Sequence, residues 1–280
     1  MEKILDGKTL SSKIKNELKT EIKTFMIKPC LTVIQIGNDE ASNIYIESKR
    51  KACEETGIWF KHVKYDSFVD KLEVINKIKE LNSDEYVDGI LLQLPLPNGF
   101  DAKNIIKYIN PSKDVDGLTD ISVGKLVNNK NCLVSCTPLG IIRLLEEYNI
   151  ELEGKHVVIV GRSNLVGKPL MSLCLNKNAT VTVCHSKTVN LEKITKEADI
   201  LIVAVGHKKL ITENMVKENC VVIDVGINRA DGKIYGDVDY NNVYNKASYI
   251  TPVPGGVGPM TVAMLLKNVV KSYKSRNTSK

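Results

Sequence analysis

The chain has 280 residues, of which 43% are hydrophobic and 26% charged, a balance typical of a globular protein with one large or two medium domains. Aromatic residues make up only 5%, which argues against an aromatic stacking platform for single-stranded nucleic acid, and the net charge of +6 is spread along the chain. The longest apolar runs fall far short of the roughly 20 residues that span a bilayer. The composition therefore predicts neither a nucleic-acid partner nor a membrane partner.

The seven cysteines form no CxxC pair and no disulfide framework. Cys132 and Cys136 lie four residues apart, but no nearby histidine completes a zinc set, so no metal site is expected. The segment Met1–Ile4 has no apolar signal core. These features predict free thiols and a reducing, cytoplasmic location.

The first half of the chain alternates between helical and extended patterns. Apolar residues at helical spacing predict a helix over 8–26, and glycines at 37 and 57 end the next strand and the next helix. The predicted order is a helix over 8–26, a strand over 31–36, a helix over 39–55, a strand over 59–64, a helix over 69–82 and a strand over 89–92. Strands separated by helices indicate parallel βαβ units in an α/β substrate domain.

A second block begins at Gly154 with the apolar strand 155–160, followed by strands at 180–184, 200–205 and 221–225. Buried strands about 20 residues apart indicate a doubly wound, Rossmann-like sheet. A helix over 259–274 follows, and we expect it to pack back on the first domain. The predicted domains are 1–118 plus 259–280 for the substrate and 119–258 for a dinucleotide.

The turn after strand 155–160 reads Gly161-Arg162-Ser163-x-x-Val166-Gly167, which departs from G-x-G-x-x-G and is a weak signal alone. The next strand ends in His185-Ser186-Lys187-Thr188, where NAD-binding domains usually carry an acid. A lysine and the nearby Arg162 would attract a 2′-phosphate, so NADP is favoured over NAD. The alternative is a polar loop without a special role.

Candidate catalytic residues follow in the first half of the chain. Tyr45 and Lys49 share one helix face, although a surface stripe has the same spacing. Gln93 follows a parallel strand at the edge where ligands bind. Asp114 and Asp116 lie in a turn, where either could simply be a turn former. Residues 251–261 form a Gly/Pro-rich loop that allows close approach of the backbone to a ligand.

Five motifs in this order resemble the bifunctional methylenetetrahydrofolate dehydrogenase/cyclohydrolase family over essentially the whole chain. They are Tyr45-x-x-x-Lys49, Gln93-Leu94-Pro95-Leu96-Pro97, Lys113-Asp114-Val115-Asp116-Gly117, the Gly161–Pro169 turn and Pro254-Gly255-Gly256-Val257-Gly258-Pro259-Met260-Thr261. Ser122 and Ser135 stand where the family commonly has other residues.

The resemblance implies an enzyme with two activities in one cleft between the domains. Hydride passes from 5,10-methylenetetrahydrofolate to NADP, and the methenyl cation is then hydrolysed to 10-formyltetrahydrofolate. It implies that Lys49 transfers protons, Gln93 orients Lys49, Tyr45 stacks on the folate and Asp116 binds the pterin. Further implied substrate contacts are Leu92, Leu94, Pro254, Gly255, Gly256, Pro259 and Thr261. The implied cofactor contacts are Thr137, Gly161, Arg162, Ser163, Val166, Gly167, Ser186, Lys187 and Ile227.

Three alternatives stay open at this stage. The chain could be a dehydrogenase without the hydrolytic activity, an NADP-dependent oxidoreductase of another small-molecule class, or a non-enzymatic NADP-sensing or nucleic-acid-binding module. The joint presence of Lys49 and Gln93 argues against the first. The family also implies a homodimer, with an edge strand or an apolar helix face of the cofactor domain as the expected contact.

Overall fold

The computed structural model describes residues 3–230 and 232–277. Its α-helices are α1 Gly7–Ile22, α2 Glu40–Thr56, α3 Lys71–Ser83, α4 Ala102–Ile106, α5 Asp120–Val127, α6 Cys136–Glu147, α7 Gly167–Leu175, α8 Leu191–Thr195, α9 Tyr240–Val243 and α10 Val257–Asn277. Its strands are β1 Cys30–Ile36, β2 Trp59–Tyr65, β3 Gly89–Leu92, β4 His156–Val160, β5 Thr180–Cys184, β6 Ile200–Val203, β7 Val221–Asp224, β8 Asn228–Ala230, β9 Lys233–Tyr235 and β10 Tyr249–Ile250.

The chain divides into two compact units. One comprises Ser12–Cys136 with Val262–Lys280, and we call it the lysine unit because it contains Lys49; the other comprises Met1–Ser11 with Thr137–Thr261, and we call it the glycine-turn unit because it contains Gly161. The functional boundaries at 118/119 and 258/259 stay a prediction.

The lysine unit is built on a parallel sheet in the order β2-β1-β3. All seven residues of the central strand β1 are buried, as expected of a strand covered on both faces. The last part of α10 packs on this unit, where Asn268 Nδ2 donates to Val115 O and Ser272 Oγ donates to Asp88 O. The predicted return of the C-terminal helix to the first domain is therefore confirmed.

The glycine-turn unit is built on a parallel sheet in the order β10-β7-β6-β4-β5, which confirms the predicted doubly wound fold. Strands β4, β6 and β7 are almost wholly buried, and they are apolar except for His156 at the start of β4 and Asp224 at the end of β7. The chain runs from β4 to β5 on one side and then returns to β6 on the other side of β4. This reversal beside β4 is the switch point at which such sheets bind dinucleotides.

The predicted elements agree with the structure apart from their ends. Gly57 caps α2 in the left-handed conformation, with φ of 86°, so the predicted stop is confirmed. The first helix was predicted to run to 26 but ends at Ile22, where Lys28 Nζ caps its terminal carbonyl at 2.9 Å. In the described residues, no helix is both long enough and apolar enough to cross a membrane.

Candidate functional site

The centre of the lysine unit's site is a contact between α2 and the segment that follows β3. Lys49 Nζ donates to Gln93 Oε1 at 2.8 Å, although the two residues are 44 positions apart in sequence. Gln93 Nε2 donates to Leu94 O at 2.6 Å, and this second bond turns the amide so that its oxygen faces the ammonium. The predicted partnership between Lys49 and Gln93 therefore exists in the fold.

Helix α2 is fixed against this segment by two features near its N-terminus. Asp39 caps the helix by accepting from Ser42 N, and Ser42 Oγ donates to Leu94 O at 3.4 Å. Leu94 O thus accepts from Ser42 as well as from Gln93, so the start of the helix and the orientation of the Gln93 amide share one acceptor. The sequence analysis did not single out Ser42, because serine near a helix start reads as an ordinary capping residue.

Burial shifts the ionisation of the two charged groups at this site in opposite directions. Lys49 is half-buried, and desolvation lowers the pKa of its ammonium, opposed by the attraction of Asp116. Desolvation likewise raises the pKa of the Asp116 carboxyl, opposed by Lys49. Desolvation acts against the charged form of each group, and the attraction between them opposes it, so a larger share of Lys49 is neutral than in an exposed lysine.

A thiol completes this cluster. Cys136 is buried and its thiol donates to Val115 O at 3.4 Å, and desolvation together with the nearby negative charge of Asp116 raises the pKa of the thiol well above its ordinary value. Asn268 also lies within 3.7 Å of the sulfur. Cys136 was not predicted as a site residue, and its one sequence signal is its position directly before Thr137.

The structure separates the two acids of the 113–117 turn. Asp114 is buried and accepts from Leu118 N and Thr119 N, which is the turn-forming role left open by the sequence. Asp116 is the carboxylate that interacts with Lys49. Lys113 donates to Leu81 O and Asp84 O, and desolvation lowers its pKa to about 8.

Tyr45 lies one turn before Lys49 on α2 and is 40% exposed, so its ring is available to a ligand. Leu92 is buried at the end of β3, with Leu94 half-buried two positions later. The Leu94–Pro95 peptide is cis. Tyr45, Lys49, Gln93, Leu94 and Asp116 thus belong to one unit, and the structure leaves their roles in binding as predictions.

In the glycine-turn unit, the turn after β4 can be built only with glycine at two positions. Gly161 has φ of 129°, and a Cβ there would lie 2.3 Å from Ala204 O. A Cβ on Gly167 would lie 2.1 Å from Gly161 O, so the start of α7 packs directly on the turn. Val166 precedes α7 without a side-chain cap. In the first turn Lys168 N donates to Ser163 O at 3.0 Å and Pro169 has no N–H, so Gly167 N is the helical N–H that faces an anion at this turn.

These features fit a dinucleotide pyrophosphate, and the polar side chains around them are exposed. Arg162 and Ser163 lie in the turn, and Ser163 Oγ accepts from Val166 N. Ser186 and Lys187 are exposed directly after β5, in a tight turn closed by Thr188 N donating to His185 O. This segment contains no carboxylate that would repel a 2′-phosphate.

The predicted substrate loop also belongs to the glycine-turn unit. The Val253–Pro254 peptide is cis, and Gly255 has φ of 113°. Gly256 N donates to Pro252 O, and Gly256 O lies where a Cβ on Gly7 would be. Pro259 is half-buried in the first turn of α10. The predicted cofactor residue Thr137 and the predicted substrate residue Thr261 share a hydroxyl–hydroxyl hydrogen bond of 2.9 Å.

Two buried carboxylates that the sequence analysis missed organise the carboxyl edge of the five-stranded sheet. Asp224, at the end of β7, accepts from Gly226 N, Asp237 N and Val238 N, and desolvation raises its pKa to about 6. Asp237 accepts hydrogen bonds from backbone N–H groups of the loop after β6. Their sequence signal is an acid within two residues of a glycine at the end of a strand or hairpin, which is common in ordinary turns.

Comparison with known proteins agrees with this geometry. The family model described as the tetrahydrofolate dehydrogenase/cyclohydrolase catalytic domain matches residues 5–116. The model described as the NAD(P)-binding domain of the same family matches residues 135–277.

Individual relatives cover nearly the whole chain. The bifunctional protein FolD of Campylobacter hominis is 52% identical over 277 residues, which are 98% of each sequence. The crystal structure of the bifunctional methylenetetrahydrofolate dehydrogenase/cyclohydrolase FolD from Campylobacter jejuni has a TM-score of 0.96 at 51% identity and covers 98% of this chain and 99% of that one.

The Trypanosoma brucei methylenetetrahydrofolate dehydrogenase-cyclohydrolase, solved with NADP cofactor and inhibitor, has a TM-score of 0.92 at 34% identity over 97% of each chain. This chain therefore belongs to the tetrahydrofolate dehydrogenase/cyclohydrolase family.

Proposed function

We propose that this protein oxidises 5,10-methylenetetrahydrofolate to the methenyl cation with NADP and then hydrolyses the cation to 10-formyltetrahydrofolate. Full-length similarity to bifunctional relatives supports both activities. The observation that carries the hydrolytic activity is the hydrogen bond from Lys49 Nζ to Gln93 Oε1 beside Asp116. A family member with a dehydrogenase activity alone would have no need of this proton-carrying pair.

Lys49 is the proton carrier of the hydrolysis. Because burial lowers its pKa, a larger share of its amine is neutral near pH 7 than in an exposed lysine. The neutral amine accepts a proton from water as the water oxygen bonds to the methenyl carbon. The bond from that carbon to N5 then breaks, N5 takes up a proton, and the hydroxyl proton is lost as the formyl carbonyl forms. One proton is released overall.

The neighbours of Lys49 control its orientation and bind the substrate. Gln93 holds the amine by its amide oxygen, and its own orientation is set by Leu94 O. We assign Asp116 to the donor groups of the pterin, since a carboxylate pairs well with adjacent N–H donors. The exposed ring of Tyr45 stacks on the folate's aromatic part. Leu92, Leu94, Pro254, Gly255, Gly256, Pro259 and Thr261 complete the proposed substrate contacts.

The cofactor is NADP, which accepts the hydride when bound. The Gly161 turn and the start of α7 hold its pyrophosphate by backbone N–H groups. Arg162, Ser186 and Lys187 bind the 2′-phosphate, because they are exposed and residues 185–188 directly after β5 contain no acid. Thr137, Ser163, Val166, Gly167 and Ile227 are the other proposed contacts.

The test follows the purified protein with 5,10-methylenetetrahydrofolate and NADP, recording NADPH and the methenyl product separately. Reduction of NADP without lasting methenyl accumulation is the expected result. Methenyl accumulation would leave a dehydrogenase alone, and absence of reduction with both NADP and NAD would refute the folate assignment.

We also propose that the protein is a homodimer in a reducing cytoplasm. Strand β5 lies at one end of the order β10-β7-β6-β4-β5, and four of its five residues are at least partly exposed. An edge strand of this kind can pair with a second copy. All seven cysteines are free thiols, as a reducing compartment requires. Sedimentation equilibrium of the purified protein tests the dimer, and a monomer at micromolar concentration would refute it.

A further inference from the structure

Asp237 is a completely buried carboxylate that joins separate loops of the glycine-turn unit. Its Oδ2 accepts from Val205 N at 2.7 Å and Gly206 N at 3.0 Å. Its Oδ1 accepts from His207 N at 2.8 Å and from Asn228 Nδ2 at 2.9 Å. The loop after β6 and the segment after β7 are therefore tied to the same two oxygen atoms.

The donors to Asp237 are three backbone N–H groups and one side-chain amide, none of which carries a formal charge. A carboxyl group whose two oxygens accept four hydrogen bonds has the pattern of the ionised form, which is acceptor only. The dipoles of these four donors stabilise its charge. This edge of the sheet therefore carries a buried negative charge without a cation among these donors.

The Asp237 carboxylate is closely packed against neighbouring backbone. A Cβ on Gly226 would lie 2.3 Å from Asp237 Cγ, so the backbone before Ile227 lies directly against it. By contrast, Val205, Gly206, His207 and Ile227 are exposed on their other side. The two loops thus form an outer surface, and hydrogen bonds to the buried Asp237 carboxylate hold their backbone in place.

The topology of the sheet places these loops relative to the halves of a dinucleotide. The pyrophosphate binds at the turn after β4, and the 2′-phosphate side lies toward β5. Strands β6 and β7 lie on the opposite side of β4. In a doubly wound sheet the second half of the dinucleotide lies across the switch point, so the nicotinamide half faces the carboxyl ends of β6 and β7.

We propose that Asp237 is a positioning residue that orders the two loops flanking the nicotinamide half of NADP, and that its negative charge favours the oxidised cofactor over the reduced one. This inference rests on the proposed NADP site. The oxidised nicotinamide ring carries a positive charge and the reduced ring is neutral, so a nearby fixed anion stabilises the oxidised form selectively. Such a bias suits an enzyme that must bind NADP to begin its reaction.

The test measures the dissociation constants of NADP and NADPH separately by calorimetry, without folate. Asp237→Asn removes the charge, and Asn228→Lys neutralises it by a donor at the same oxygen while keeping the three backbone bonds. Both variants should raise the ratio of the NADP constant to the NADPH constant by about five-fold or more, because only the oxidised ring carries the positive charge that the carboxylate stabilises. The matched control is Asp199→Asn, because Asp199 precedes β6 at the opposite, amino edge of the same sheet.

Thermal unfolding verifies that each variant is folded, and Asn228→Lys decides the question alone if Asp237→Asn does not fold. A rise of less than about five-fold in this ratio in the folded neutralising variants would overturn the proposal, as would equal weakening of both cofactor forms. Failure of the proposed function looks different: the wild-type protein would not reduce NADP with methylenetetrahydrofolate, whatever the ratio of the two dissociation constants.

Discussion

Replacement of Lys49 by methionine separates the two activities, because it removes the amine while keeping a long side chain in the same half-buried position. In the wild-type protein the amine is held at 2.8 Å from Gln93 Oε1 and has a lowered pKa through desolvation. A positioned general acid or base typically contributes 10²- to 10⁴-fold to a rate. We therefore expect Lys49→Met to reduce methenyltetrahydrofolate hydrolysis by about 100-fold or more.

The dehydrogenase step is expected to survive in this variant, because hydride transfer depends mainly on the relative positions of donor and acceptor. The assay follows loss of methenyltetrahydrofolate absorbance for hydrolysis, and NADPH formation for oxidation, with the same enzyme preparation. The expected result is lasting accumulation of the methenyl product during oxidation. Hydrolysis within three-fold of the wild-type rate would refute the role of Lys49.

The same variant tests the ionisation argument through stability. Because the Lys49 pKa is lower in the folded protein than in the unfolded chain, the unfolded chain binds more protons between those two values. The destabilising effect of this lysine is therefore complete below its folded pKa and disappears as pH rises toward its unfolded value. Thermal unfolding from pH 6 to pH 10 should show the wild-type protein gaining stability relative to Lys49→Met as pH rises. A constant difference would contradict the desolvation argument.

Further predictions concern the cofactor turn and the exposed tyrosine. Arg162→Ala should weaken NADP binding by about 10-fold or more and NAD binding far less, since a charged hydrogen bond contributes about 1.5–3 kcal/mol; equal loss for both cofactors in titrations would reject the 2′-phosphate contact. Gly167→Ala should lower the melting temperature and the affinity for NADP, because the added Cβ would lie 2.1 Å from Gly161 O. The control is Gly124→Ala in α5, where an added Cβ would have no atom within 4 Å. This control should leave the melting temperature and the affinity for NADP unchanged or slightly improved. Because the Tyr45 side chain is exposed, Tyr45→Ala should change the free energy of unfolding by no more than about 0.5 kcal/mol. Loss of the stacking contact should raise the KM for 5,10-methylenetetrahydrofolate about 10-fold. An unchanged KM would exclude stacking of Tyr45 on the substrate.

Much of the fold follows from local patterns in the sequence. The buried run 155–160 followed by Gly161 predicted a strand entering a glycine turn, and β4 runs into this turn at Val160. Gly57 was correctly expected to end α2 because only a residue tolerant of positive φ can take that position cheaply. Strand β5 was predicted at 180–184 and has these bounds in the structure.

The sequence was less informative where packing decides local structure. No element was predicted between 118 and 154, where α5 and α6 form, or in the β8–β9 hairpin. The first helix ends earlier than its apolar periodicity indicated, because Lys28 supplies a cap from beyond the turn. The spacing of apolar residues predicts which face of a helix can be buried, but it does not predict which terminal carbonyl of the helix accepts a capping hydrogen bond.

The candidate site shows the same division between local and non-local information. The spacing of Tyr45 and Lys49 placed them on one helix face, and the end of β3 placed Gln93 at a ligand-binding edge. The 2.8 Å bond between Lys49 and Gln93, the turn-forming role of Asp114 and the four donors gathered on Asp237 depend on which segments meet in space. The sequence by itself determined the elements and the chemical groups that they carry, because these follow from short-range spacing. Only the tertiary structure decided which groups are desolvated and which share a hydrogen bond, because burial and contact arise between residues far apart in the chain.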